Sequence, residues 1–286
     1  MNTEKFLESL KAGLVYDKLD LKLLVEEMGT KQLMKAVLDN VGNVNSLIRE
    51  NMMGVHDRLV EEEHFSKDEC AQLFYASLDN MQKGLGNKGD DTVFCRAFSS
   101  LYLGFIVDMD EQLGLLSDEQ YIQALDTAVD YMLREADRRS FVKGKGWAHA
   151  PAHGADLLCC IVGHPKFPVA QAGRILDVIK YHITAQEAYT AGEESRFAHI
   201  IPTLLDKGLS GQALQDWIKS MLPRDTSVPY TDESYAFTRV IFNIKSFLMA
   251  LYFTLGEKPK WTALRKFITE YEPTMWKLSR APDSGA

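Results

Sequence analysis

Within GKGWAHAPAHGADLL, residues 144–158, the chain places His149, His153 and Asp156 at i, i+4 and i+7, with the charged run EADRRSF at 135–141 just upstream. At about 100° per residue, a helix carries these three side chains within roughly 60° of one another, so they can converge. Pro151 is tolerated only in a first helical turn, which predicts a helix starting between Trp147 and Ala150. Histidines at such a start face free N–H groups and partial positive charge, an environment that attracts anions and favours the neutral imidazole. A neutral imidazole can take up a proton or bind a metal. His149, His153 and Asp156 are therefore a candidate ligand set for a divalent metal, with water in an open position as in a metal-dependent hydrolase. HAPAH lacks the glutamate that follows the first histidine of zinc proteases, so Glu135, Asp137 or Glu194 would have to act as base. The plainer reading is that both histidines pack and hydrogen-bond. Trp147, about 160° around the helix from His149, is expected to pack while its neighbours face a groove.

The elements that must position these groups read as helix after helix, without strand alternation. Ser66 with Glu69 and Ser117 with Gln120 have capping-box spacing, and further starts fall at Pro168, Ser210 and Pro259. These starts are 51, 51, 42 and 49 residues apart. A second series, containing Arg49, Arg96, His149, Arg196 and Arg239, follows at intervals of 47, 53, 47 and 43 residues. Each capped helix thus has a partner helix. The expected fold is all-α, an α-α superhelix of roughly five to six HEAT/armadillo-like helix pairs. It is expected to form a single repeat domain over residues 1–280, with a disordered tail at 281–286.

Partner helices carry polar stripes in apolar settings: Arg49 with His56, Arg96 with Ser99 and Ser100, Arg196 with His199, and Arg239 with Asn243 and Ser246. Such groups need partners or a water-filled groove. In register they would line a concave surface, and Arg96, His149, His153, Asp156 and Arg196 are expected to meet in one pocket. Alternatively, each arginine pairs with an acid of a neighbouring repeat, for which Asp90, Asp91, Glu193, Glu194, Asp232 and Glu233 stand just upstream.

Composition narrows the function classes. With 286 residues, 46% of them hydrophobic and 25% charged, the chain can bury a sizeable core. Its net charge of -8 opposes non-specific nucleic-acid binding and leaves a helical-repeat DNA glycosylase little weight. The local basic cluster Arg134, Arg138, Arg139, Lys143 and Lys145 is the exception. Cys70, Cys95, Cys159 and Cys160 lack CxxC spacing and read as reduced packing residues. MNTEKFLESLKAG has no apolar signal core, and the apolar stretch 241–255, broken by Asn243 and Lys245, is too short to span a bilayer. A cytoplasmic protein without membrane attachment is expected. No phosphate loop, dinucleotide fingerprint or serine-nucleophile elbow is present.

DDTVFCRAFSSL, EADRRSF, GKGWAHAPAHGADLL and GEESRFAH, in this order and spacing, resemble the domain of unknown function 2785 family of uncharacterised bacterial proteins. The resemblance covers roughly residues 33–217 and implies a bacterial helical-repeat protein, without an assigned activity. Its pattern marks Arg96, Arg139, Gly146, Trp147, His149, His153, Asp156, Glu193 and Arg196, while Ala136 and Ser140 depart from the lysine and glycine of that pattern. With Arg239 from the polar stripe, these residues, Gly146 aside, form the expected ligand-binding set. The function expected first is binding of a small anionic ligand or acidic peptide in an Arg/His-rich pocket. A metal-dependent hydrolase using His149, His153 and Asp156 and a protein-interaction scaffold are the alternatives. No catalytic residue is assigned beyond these.

Overall fold

The chain divides into two compact units, Met1–Lys166 and Phe167–Ala286, each taken by itself here. The structure, a computed structural model, describes residues 1–13, 18–221 and 232–278; the tail expected at 281–286 lies outside them.

In the first unit, α1 (Thr3–Lys11), α2 (Leu21–Met28), α3 (Thr30–Asn40), α4 (Ser46–Glu61), α5 (Lys67–Met81), α6 (Thr92–Leu113) and α7 (Asp118–Arg134) precede a small hairpin. Its strands, β1 (Phe141–Val142) and β2 (Gly146–Trp147), pair antiparallel and lead into α8 (Ala150–Gly163). The second unit holds α9 (Ala172–Ile183), α10 (Glu193–Asp206), α11 (Gly211–Ser220), α12 (Asp232–Leu255) and α13 (Thr262–Leu278). Among the described residues the protein is all-helical apart from the hairpin.

Local chemistry sets these boundaries. Ser66 and Ser117 close complete capping boxes with Glu69 and Gln120, and Ser210 caps α11 through Ala213 N–H. A 3-10 turn opens both of the other expected starts: Val169–Gln171 before α9 and Pro259–Trp261 before α13. α6 is apolar nearly all round and runs through the core of the first unit, with Phe94, Ala97, Tyr102, Leu103 and Ile106 fully buried. α8 packs alongside it, and a side chain at Gly104 would come within 3.3 Å of the Leu157 backbone. The second unit is built around Phe197, Ile201, Ile244, Phe247 and Leu251.

α6 and residues Tyr235–Leu255 of α12 are long and apolar enough to cross a membrane by length and composition alone. The helix around 241–255 is thus longer than its apolar run suggested. Most of the α6 window, 72%, is buried inside the protein, against 33% for α12.

Beneath the α6–α7 turn, Asp110 Oδ1 accepts from Leu116 N–H at 2.6 Å, and Asp110 Oδ2 lies 3.1 Å from His164 Nε2. Lys166 N–H donates to His164 Nδ1, so Nε2 carries the proton and the buried ring works as a neutral imidazole. Burial pulls the His164 pKa below its ordinary value, although Asp110 pulls it upward. A lowered folded-state pKa means the unfolded chain binds the extra proton first. This contribution to stability is therefore complete above the unfolded histidine pKa and is lost as pH falls through the lower folded one. Denaturant titrations from neutral to mildly acid pH should show His164→Gln losing less stability on acidification than the native chain; equal losses would contradict this account.

Candidate functional site

α8 begins at Ala150 with Pro151 in its first turn, within the expected window, but His149 is not on the helix. It is the residue before it, held in the left-handed region at φ 49° and ψ 30°, an uncommon backbone state for a side chain of this size. Its ring stacks on Trp147 at 4.4 Å between centroids and meets His153 edge-on at 5.8 Å. His153 in turn meets Phe98 of α6 at 5.1 Å, and Phe141 meets Trp147 at 5.2 Å, so five rings run from the hairpin to α6. Trp147 belongs to β2, not to a helix, and is 40% exposed. The expectation that it packs away from the histidines was wrong, because its position was computed on a helix that starts three residues later.

The metal reading loses its geometry for the same reason. Among the described residues, no group of three or more His, Cys, Asp or Glu side chains is placed to hold a metal ion.

A cleft of about 340 Å³ opens beside this ring series, lined by Glu50, Met53, Gly54 and Asp57 of α4, Phe98 and Leu101 of α6, Trp147 and His153. The α4 residues follow i, i+3, i+4, i+7, one helical stripe. Glu50 and Asp57 are two turns apart, roughly 10 Å, and bracket the gap over Gly54. Asp57 Oδ1 is held 2.9 Å from Nδ1 of the fully buried His56. The lining carries two carboxylates and, among the described residues, no lysine or arginine.

The arginines expected in the pocket are employed elsewhere. Arg96 is fully buried and meets the equally buried Glu135 in a two-pronged pair, Nε–Oε2 2.6 Å and Nη2–Oε1 3.1 Å. Its Nη1 donates to the Lys83 and Gly84 carbonyls, each at 2.9 Å, and to Thr92 Oγ1 at 2.6 Å. Burial alone would lower the Arg96 pKa, but Glu135 outweighs it and raises it. The acid is thus Glu135 of the EADRRSF run, not Asp90 or Asp91.

Arg139 clasps Asp137 through Nε and Nη2, and its Nη2 also donates to the Asp90 carbonyl at 2.6 Å. Asp137 accepts from Gly89 N–H besides, and although burial pushes its pKa up, Arg139 and these backbone donors hold it below the usual carboxylate range. The basic cluster is further neutralised by Arg134–Asp130 and Lys145–Asp91 pairs.

Arg49 anchors the hairpin. Fully buried, it donates from Nη2 to the Lys145 and Trp147 carbonyls at 2.8 and 3.1 Å and from Nη1 to the Asn43 carbonyl at 2.6 Å. Its guanidinium lies over the Phe94 and Phe98 rings, 4.4 and 4.7 Å from their centroids. Burial lowers its pKa, partly offset by Glu50. Gly146 sits so close that a Cβ there would come 2.5 Å from that of Ser46, and its φ of +79° excludes most other residues.

Glu193, Arg196 and Arg239 belong to the second unit. Glu193 is buried at the start of α10, where its Oε2 accepts from Ala191 N–H at 3.0 Å. Arg196 and His199 are exposed on α10. Arg239 lies over the Tyr235 ring at 4.8 Å; the side chains of Asp232 and Glu233 fall outside the described ones. Asn243 has a packing role: fully buried, it accepts from Tyr189 N–H and donates to the Ala185 and Glu187 carbonyls, fixing the segment before α10.

Reasoning from the sequence missed Glu50, Met53, Gly54, Asp57, Phe98 and Leu101. The signal present was the i, i+3, i+4, i+7 stripe on α4, which a search centred on arginines and histidines passes over.

These features define a class: an all-α protein with a hairpin clamped beside a polar cleft. The model of a family described as a protein of unknown function (DUF2785) matches residues 81–253, and the chain belongs to that family. The match contains all four motifs and runs into α12. No curated protein and no solved structure matches the chain.

Proposed function

We propose that the first unit is a binding module for a small organic cation, an amine or amidine with an apolar body, held in the cleft between α4, α6 and the hairpin. The observation that carries this reading is the lining itself: Glu50 and Asp57 beside Trp147, Phe98 and His153, with no lysine or arginine among the described lining residues, although Arg49 behind the lining lies 3.8 Å from Glu50 Oε1. Carboxylates attract a cation, aromatic walls favour its apolar body and charge together, and a cleft of about 340 Å³ suits a small ligand. The same charge argues against the anionic ligand or acidic peptide expected from the arginines, since Arg96 and Arg139 already face carboxylates. The left-handed backbone at His149 supports the assignment, because a strained residue that positions a ring is more often found at a working site than elsewhere. The alternation of capped and partner helices supports reading the helices of each unit as HEAT-like pairs.

Benzylammonium and benzoate, identical in shape and opposite in charge, serve as probes. Benzylammonium should shift the indole N–H resonance of Trp147 and bind more tightly than benzoate. Asp57→Asn should weaken it about tenfold, the equivalent of about 1.4 kcal/mol for one charge-assisted contact. Gly54→Leu should block it without loss of stability, because leucine is a better helix former than glycine. Preferential binding of benzoate, or unchanged affinity in Asp57→Asn, would sink the proposal.

A further inference from the structure

We propose that α12 is a self-association surface, its exposed apolar seam pairing with the same seam of a second copy of this chain. On α12, Tyr235, Phe242, Met249 and Phe253 are 64%, 54%, 57% and 74% exposed. Their spacing of seven, seven and four residues places them within roughly 40° of one line along the helix. The opposite face, with Ile241, Ile244, Leu248, Leu251 and Leu255, is buried in the second unit. A groove of about 250 Å³, lined mainly by Leu248, Met249, Tyr252, Phe253 and Ile268 with Lys245 and Thr269 beside them, runs along the seam toward α13.

The occupant follows from width, area and shape. A seam this narrow, repeating every seven residues, fits another helix, whereas a helix lying on a membrane presents a broader apolar face. Four large side chains at these exposures offer on the order of 500 Å² per copy, so two copies bury about 1,000 Å² from the seam alone, the threshold for a specific interface. A second copy also solves the fit. With the two helices antiparallel about a two-fold axis through the middle of the seam, Tyr235 stands opposite Phe253 of the other copy, and Phe242 stands opposite its Ser246. Phe242 then meets a small residue, the aromatic rings at the two ends of the seam face one another, Met249 stands opposite Arg239 of the other copy, and the pairing repeats identically on both sides of the axis.

Sedimentation velocity of the full chain over the micromolar range tests this. The expected result is a reversible dimer of twice the chain mass that becomes a monomer in Phe242→Glu and in Phe253→Glu, with helical circular dichroism unchanged. Phe253→Ser, at the most exposed position of the four, gives the same reading with a smaller perturbation. A native chain that stays monomeric at high micromolar concentration overturns the proposal, as does a dimer that survives all three variants. Flotation with phosphatidylglycerol vesicles that requires Phe242, from a chain that remains monomeric, would assign the seam to membranes and overturn it equally.

Discussion

Glu135→Ala should lower the unfolding free energy by about 3–5 kcal/mol, because it leaves a buried charge without its partner. Arg96 cannot follow its lost partner to water, because it is fully buried between the α5–α6 connection and the segment after α7. Its charge would remain, with only the Lys83 and Gly84 carbonyls and Thr92 Oγ1 to compensate it. Asp137 N–H, which donates to Glu135 Oε1, would lose its acceptor as well. Replacing both members, as in Arg96→Met with Glu135→Gln, should cost clearly less than the two single changes added together. The pair is unfavourable to break but not uniquely favourable to have. Urea unfolding of the two single variants and the double variant decides the matter. Additive losses would mean that the pair is not coupled as its geometry requires.

Arg49→Met should cost about 3 kcal/mol and should also weaken benzylammonium binding, the displacement of Trp147 outweighing the release of Glu50 from the guanidinium 3.8 Å away. Three carbonyls, of Asn43, Lys145 and Trp147, lose their charged donor. The hairpin then loses the buried side chain that ties it to α4, and Trp147 leaves its place in the cleft. Arg49→Lys keeps the charge but has neither the fork that reaches carbonyls on both sides nor the flat cation that lies over Phe94 and Phe98, so it should behave more like Met than like Arg. Hydrogen exchange at the 145–149 amides, followed with the affinity, checks both parts. Unchanged exchange there in Arg49→Met would show that the hairpin is held by something else.

Much of the fold was legible, because caps and helical spacing are local. Ser66, Ser117 and Ser210 cap the helices they were expected to cap, and Arg49, Arg96, Arg196 and Arg239 fall on helices that alternate with these along the chain. The site was legible only in its neighbourhood. Its central motif does supply Trp147 and His153 to the cleft. Two things hid the rest. The left-handed turn at His149 breaks the helical phase that would bring the three side chains to one face, and although histidine adopts this backbone more readily than most residues, its type alone does not announce the turn. Long-range pairing hid the other, since Arg96 and Glu135 are 39 residues apart and a buried arginine in an apolar helix looks the same whether it awaits a ligand or already holds a carboxylate.

The Arg49 clasp joins points 96 and 98 residues apart, and this has a consequence for the order in which the protein can be made. Closing so long a loop carries an entropic penalty that is repaid only when both ends are present and packed. During synthesis from the amino terminus, α1 to α7 can all be extruded while Arg49 has no hairpin to hold and Phe98 has no His153 against it. For that interval the aromatic wall of α6 faces outward with a buried cation's worth of charge unsheltered next to it. The cleft can thus be completed only after residue 153 has emerged.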